Sequence, residues 1–221
     1  MKYIELSHPI TDGMVTFPGD PPVSIDIYMS REEMRKKCGD AAALLDKISM
    51  INTSGTYLDA PVHRFENGTY ISDIPLEKLV ELPVQAFKIP EGKFCFDKED
   101  FQELKTGVRA VLLYTGQDQY FNTELYAENA KYLSVEGAKY LVEKGVVFVG
   151  IDGPLIDQLN SGDCPVHDII LGADGVVCEN MTNLEQLLGE NAVLTAVPPR
   201  VRMASFPARV FAGVKDYINN I

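Results

Sequence analysis

Tryptophan is absent, so ten Phe and ten Tyr must supply the aromatic packing. No two cysteines stand in a C-x-x-C spacing; Cys38, Cys95, Cys164 and Cys178 are each isolated. That disfavours thioredoxin-like redox chemistry and zinc ribbons. The four read instead as unpaired, buried small hydrophobes in a reducing compartment, with Cys95 and Cys178 inside apolar, strand-like stretches. No apolar run approaches the roughly 18–20 residues that a bilayer span needs. The opening Met1-Lys2-Tyr3-Ile4-Glu5-Leu6-Ser7-His8 has no apolar signal core, which makes the cytoplasm the expected location. Positive charge is scarce: 20 Lys+Arg face 32 Asp+Glu, for a net charge of -12. An acidic surface of this size repels phosphate backbones and anionic lipid, so neither nucleic acid nor membrane is an expected partner. Internal repeats, low-complexity tracts and Ser/Gly linkers are also missing.

The chain has 221 residues, 46% hydrophobic and 24% charged, which suits one globular domain over 1–221. Residues 3–10 alternate as a strand does and stop at Thr11-Asp12-Gly13, a turn signal. Further strands are expected at 23–28, 43–51, 82–90, 108–114, 146–151, 175–179, 192–197 and 207–213. The charged segment 31–37 has no clear type. Asp97 can cap a helix through 104, which Gly107 ends. Ser134 can cap another over 135–144, where Val135, Ala138, Leu141 and Val142 share one face. Gly137 weakens that helix. Two more are expected at 163–171 and 183–188, closed by Gly172 and Gly189. Strands and helices mix without strict βαβ alternation, which implies an α/β or α+β domain with a mixed sheet and flanking helices.

Polar chemistry collects at Asn52-Thr53-Ser54-Gly55-Thr56-Tyr57-Leu58-Asp59-Ala60-Pro61-Val62-His63, directly after an apolar stretch. Asp59 offers either an anionic ligand or an orienting carboxylate, and His63 an imidazole that titrates near neutrality. The competing reading is a turn with a surface histidine. A second cluster runs from 152 to 183, with Asp152, Asp157, Asp163, His167, Asp168, Asp174 and Glu179. His167 and Glu179 are separated by an expected helix and turn, so they can converge. Mixed carboxylate and imidazole ligands suit a divalent metal, although a lone histidine is more often structural.

At these residues the chain resembles the cyclase family, which includes bacterial kynurenine formamidase and isatin hydrolase. The family motif is H-x-G-T-H-x-D-x-P-x-H, and the matching stretch here runs from Thr53 to His63. Leu6-Ser7-His8-Pro9-Ile10, Phe17-Pro18-Gly19-Asp20, Gly150-Ile151-Asp152-Gly153-Pro154 and Pro207-Ala208-Arg209-Val210 are similar to further family signatures. The resemblance implies a cyclase-type fold, a small-molecule substrate and a homodimer or homotetramer. In the binuclear zinc members, the counterparts of Thr53 and Tyr57 are metal-binding histidines and that of Asp59 bridges two ions. The counterparts of His167 and Glu179 hold the second ion, and that of His63 moves protons. Phe17, next to Pro18 and Gly19, matches a place where the family lines its substrate pocket with an aromatic; loop packing would explain it equally. Thr53 joins that expected pocket. Arg209 can meet substrate or a site carboxylate, or form a structural ion pair. His8 reads as structural and Arg64 as an exposed charge.

Three functions follow. One divalent ion, Zn or Mn, at Asp59, His167 and Glu179 activates water to hydrolyse a C–N bond of a small amide, N-formyl or lactam compound. Alternatively the site is metal-free, and His63 with Asp59 or Glu179 performs acid–base cyclisation, dehydration or isomerisation, with Tyr57 to donate a proton or polarise a carbonyl. In the third reading the protein binds a small ligand without catalysis.

Overall fold

The computed structural model describes residues 1–40 and 42–215. In chain order the elements are β1 (Lys2–Glu5), β2 (Ser24–Met29), α1 (Arg31–Cys38), β3 (Leu45–Ser49), β4 (Tyr57–Asp59), β5 (Leu82–Lys88), β6 (Cys95–Phe96) and β7 (Ala110–Tyr114). There follow β8 (Tyr132–Leu133), α2 (Val135–Glu143), β9 (Phe148–Ile151), α3 (Pro165–Gly172), β10 (Val176–Glu179), β11 (Ala192–Val197), β12 (Ser205–Pro207) and β13 (Arg209–Val214).

Nine strands make one mixed sheet in the order β1-β13-β11-β5-β7-β9-β10-β4-β12. The central β5, β7, β9 and β10 run parallel, and the flanking pairs are antiparallel. Both faces of the parallel strands are covered, so β7 is the near-continuous apolar run Ala110-Val111-Leu112-Leu113. Its side chains alternate between two cores. Leu112 joins Ile4, Leu58, Phe148, Leu194 and Val210. Val111 and Leu113 join Val149, Ile151 and Val177 beneath α2 and α3. Strands from opposite ends of the sheet meet in the first core, so the sheet curls on itself. The segment after β1 closes the curl, with the Leu6 N–H on the Val210 carbonyl and Ser7 bridging Met181.

Local chemistry explains most elements. Ser134 caps α2 as expected, accepting the Gly137 N–H at 2.9 Å. Gly137 is required by packing: a Cβ there would lie 2.8 Å from the Leu133 side chain and 3.2 Å from the Phe96 carbonyl. The ambiguous 31–37 segment is α1, held by a Ser30/Glu33 capping box with no buried residue. With β2 and β3 it forms an arm whose residues are mostly exposed.

Several expectations need correction. The helices expected from Asp97 and Asn183 are single 3-10 turns, Lys98–Phe101 and Leu184–Leu187. The first strand ends at Glu5, before the Pro9 that cannot donate to a ladder. All four cysteines are free thiols, but only Cys178 is buried; Cys38 is exposed at the end of α1.

Asp152 ties β9 to the loop after β7. Its carboxylate accepts from the Thr115 N–H and hydroxyl and from the Gly116 N–H, at 2.6–3.0 Å. Burial outweighs these bonds and pushes its pKa up to about 7. Asp152→Ala strands those donors inside the protein. The expected loss is about 3 kcal/mol, read as a lower urea midpoint at unchanged slope.

Candidate active site

Strand β4 lies between β10 and β12, and residues directly opposite in antiparallel pairs share a face. Tyr57 faces Glu179, and Asp59 faces Ser205. Tyr57, Asp59, Glu179 and Ser205 therefore stand on one face of the sheet. Leu58, Cys178 and Phe206 turn to the other and pack in the first core. The loop before β4 is pinned by Gly55, at φ +70°, whose N–H reaches Thr16 Oγ1 at 2.7 Å and whose carbonyl accepts from Asn180 Nδ2 at 3.1 Å.

Helix α3 packs on β10 and brings His167 to the same face. Its N-cap residue, Cys164, offers no side-chain cap. Buried Asp157 takes that role from a distance, accepting the Val166 N–H at 2.7 Å and the His167 N–H at 3.1 Å. The same carboxylate holds His167 Nδ1 at 2.6 Å. His167 Nε2 then lies 3.5 Å from Asp59 Oδ2 and 3.5 Å from Glu179 Oε1. The turn Pro61–His63 follows β4 at once and sets His63 Nδ1 3.5 Å from Asp59 Oδ1. Asp59, His63, His167 and Glu179 thus converge, although over a hundred residues separate the first from the last.

Asp59, Asp157 and Glu179 are all buried around one imidazole. Burial raises the Glu179 pKa, as does the charge of Asp59, against the opposing effects of His167, the Tyr57 hydroxyl and the Ile156 N–H. Burial alone would lower the His167 pKa. The bond to Asp157 and the attraction of the Asp59 and Glu179 carboxylates together outweigh it and raise the group well above its ordinary value. Three carboxylates so placed call for positive charge in their midst.

One divalent ion fits this demand. Asp59 Oδ2 is buried without a hydrogen-bond partner. His167 presents Nε2 to it while Nδ1 is held by a carboxylate, the arrangement that orients metal-binding histidines. Ligand atoms at about 2.1 Å from a tetrahedral ion stand about 3.4 Å apart, close to the 3.5 Å found between His167 Nε2 and each carboxylate. Among the described residues, the groups whose ligand atoms all lie within 4.8 Å of one another are Asp59, His63 and His167, and Asp157, Cys164 and His167; Glu179 belongs to neither. Glu179 is more engaged: Oε1 accepts the Ile156 N–H at 2.7 Å and Oε2 the Tyr57 hydroxyl. Burial, then the charges of Glu179 and Asp59, push the Tyr57 pKa well above 10, so its hydroxyl stays a neutral donor.

Beside this cluster is a cavity of 220 Å³ lined by Phe17, Thr53, Tyr57, Leu155, Asp20 and Asn180, among others. Two expected pocket residues, Phe17 and Thr53, are therefore together with the expected catalytic Tyr57. Pro18 and Gly19 form the turn behind Phe17, which Asp20 closes with its N–H on the Phe17 carbonyl. Arg209 is not brought to the site: its exposed side chain pairs with Glu5 at 2.8 Å beside a separate 830 Å³ groove. None of the four convergent residues lines that groove. His8 stacks flat on Phe121, with ring centroids 3.8 Å apart, and Arg64 pairs with Asp168 at 2.7 Å. Asp157 and Ser205 carry no site role in the sequence reading. Asp157 was visible only as one of several acids, and Ser205 has no motif that marks it.

The family model described as "Putative cyclase" matches residues 4–158, more than half of the chain. The chain belongs to the cyclase family. It is similar to the kynurenine formamidases of Bacillus cereus and Bacillus anthracis, each 26% identical over 197 residues that cover 89% of this chain and 90% of the relative. Isatin hydrolase A from Labrenzia aggregata, bound to benzyl benzoate, superposes with a TM-score of 0.81 at 21% identity, covering 97% of this chain and 94% of that one. A structure described as a potential metal-dependent hydrolase with cyclase activity gives 0.77 at 24% identity, covering 97% and 98%. These neighbours share the mixed α/β fold with its curled sheet. The chain is an enzyme of this family.

Proposed function

We propose that this cyclase-family enzyme hydrolyses a C–N bond of a small amide, N-formyl or lactam compound. One divalent ion, Zn or Mn, would be held by Asp59, His167 and Glu179, with His63 as the proton-transfer group. The observation that carries the reading is Asp59 Oδ2, a buried acceptor with no partner, facing an imidazole oriented by Asp157. The formamidase and isatin hydrolase names of the relatives support the bond type.

The ion would supply Lewis-acid polarisation at the reacting oxygen. The chain's own residues do the rest. His63 takes a proton from water as the water oxygen adds to the carbonyl carbon. The C–N bond breaks as that proton passes to the leaving nitrogen, giving an acid and an amine. Tyr57 holds Glu179 by its hydroxyl and, with Phe17 and Thr53, forms the wall against which the substrate lies. The cavity of 220 Å³ is below the roughly 300–1,000 Å³ of sites for drug-sized ligands, so the substrate is small. Asp157→Asn keeps one acceptor for the α3 N–H groups but loosens the His167 ring. It is expected to weaken ion affinity by about 10–100-fold, measured by chelator competition.

A screen of N-formyl aromatic amines, lactams and cyclic imides tests the reading. Release of formate or ring opening that needs Zn or Mn supports it; no turnover of any of these classes overturns it. The metal-free acid–base reading is favoured by the raised His167 pKa and by the Tyr57–Glu179 bond, and full activity after chelation would select it. We further place the enzyme in the cytoplasm as one domain, supported by its four free thiols and the single nine-stranded sheet. No described helix is long and apolar enough to cross a membrane. Ile27, Tyr28 and Ile48, exposed on the β2–β3 arm, support a homodimer or homotetramer; light scattering at the monomer mass would remove that part.

A further inference from the structure

We propose that Ser205 sets the tautomer of His63, which places the ring proton on Nδ1 and leaves Nε2 as its proton-accepting atom. The inference rests on the reading of His63 as the proton-transfer group.

Ser205 is fully buried on β12, directly opposite Asp59 on β4. Its hydroxyl donates to Asp59 Oδ1 and also lies 3.2 Å from His63 Nδ1. A serine has one proton and two lone pairs. With the proton on the Asp59 carboxylate, only a lone pair remains for His63. Nδ1 must then be the donor, and it carries the ring proton. A protonated Nδ1 cannot ligate a metal, so the His63 ring atom that lies 3.5 Å from Asp59 is closed to an ion. Nε2 keeps its lone pair, as a base requires. The His63 side chain is 34% exposed, while Ser205 and Asp59 occupy its Nδ1 edge.

The same hydroxyl divides Asp59. Oδ1 is taken by Ser205, and Oδ2 is left without a hydrogen bond, 3.5 Å from His167 Nε2. One hydroxyl therefore assigns one carboxylate oxygen to the proton-transfer side and the other to the ion side. A nucleophilic serine is a different matter: with no exposed surface, Ser205 cannot reach a carbonyl carbon. It is a positioning residue.

The test is nitrogen-15 NMR of the histidine rings in mildly alkaline buffer, on chelator-treated full-length protein. There are only three histidines, and His63→Asn identifies the signals of His63. Wild type should show the proton on Nδ1 and a bare Nε2. Ser205→Ala should move the proton to Nε2 and lower kcat by about tenfold or more, with little change in KM; Ser205→Thr, which keeps the hydroxyl, should restore both. A wild-type His63 with a bare Nδ1 overturns the inference whether or not any variant folds, and so does an unchanged tautomer in Ser205→Ala. If the tautomer moves as expected while His63→Asn remains fully active, the role of Ser205 stands and the base role of His63 fails.

Discussion

His63→Asn is expected to lower turnover by about 10²-fold or more, the usual worth of a positioned general acid or base. Fold and ion content should stay unchanged. Asn preserves a short polar side chain at the end of the Pro61–His63 turn and can still donate to Ser205 Oγ, so the local hydrogen bonding survives. What it cannot do is accept and return a proton. The unchanged ion content follows because the proposed ligands are Asp59, His167 and Glu179. Steady-state kinetics with elemental analysis of the same sample checks both halves. Turnover near that of wild type would remove His63 from the mechanism and turn attention to Tyr57. A lost ion would make His63 a ligand.

Asp59→Asn should cost more, about 10³-fold or beyond, equal to roughly 4 kcal/mol of transition-state stabilisation. Asp59 is where the Ser205 hydroxyl, His63 and His167 all arrive. An amide has one oxygen where the carboxylate has two. If that oxygen accepts from Ser205, the amide NH2 points at His167 Nε2 and repels the ion. If it turns the other way, the NH2 meets the Ser205 hydroxyl and releases His63. Either rotamer breaks one side of the site. Both turnover and ion content should fall, and a variant that keeps a full equivalent of metal and loses less than tenfold in kcat contradicts the role given to Asp59.

Strand periodicity made most of the sheet legible, because buried parallel strands such as Ala110–Tyr114 are continuous apolar runs. It missed β4. Only Leu58 of its three residues faces the core, and the other two face the site, so the segment reads as a polar loop. α1 was ambiguous for the opposite reason: it buries nothing and has no apolar stripe. The convergence of Asp59 and Glu179 was legible through the family resemblance. Their physical neighbours were not, since Ser205 reaches Asp59 only through a strand pairing across more than a hundred residues. Asp157 caps α3 from outside the helix, where the usual capping spacing carries no signal. Arg209 carried a family signature but points to solvent beside Glu5.

The most direct measurement is the ion itself. Protein stripped with chelator, dialysed against Zn or Mn and freed of excess should hold one equivalent by elemental analysis. Anomalous scattering from its crystals should place that ion between Asp59 Oδ2 and His167 Nε2, with Tyr57 and Thr53 outside the ligand set. Well under one equivalent, or two ions with one on Tyr57, would contradict a mononuclear site.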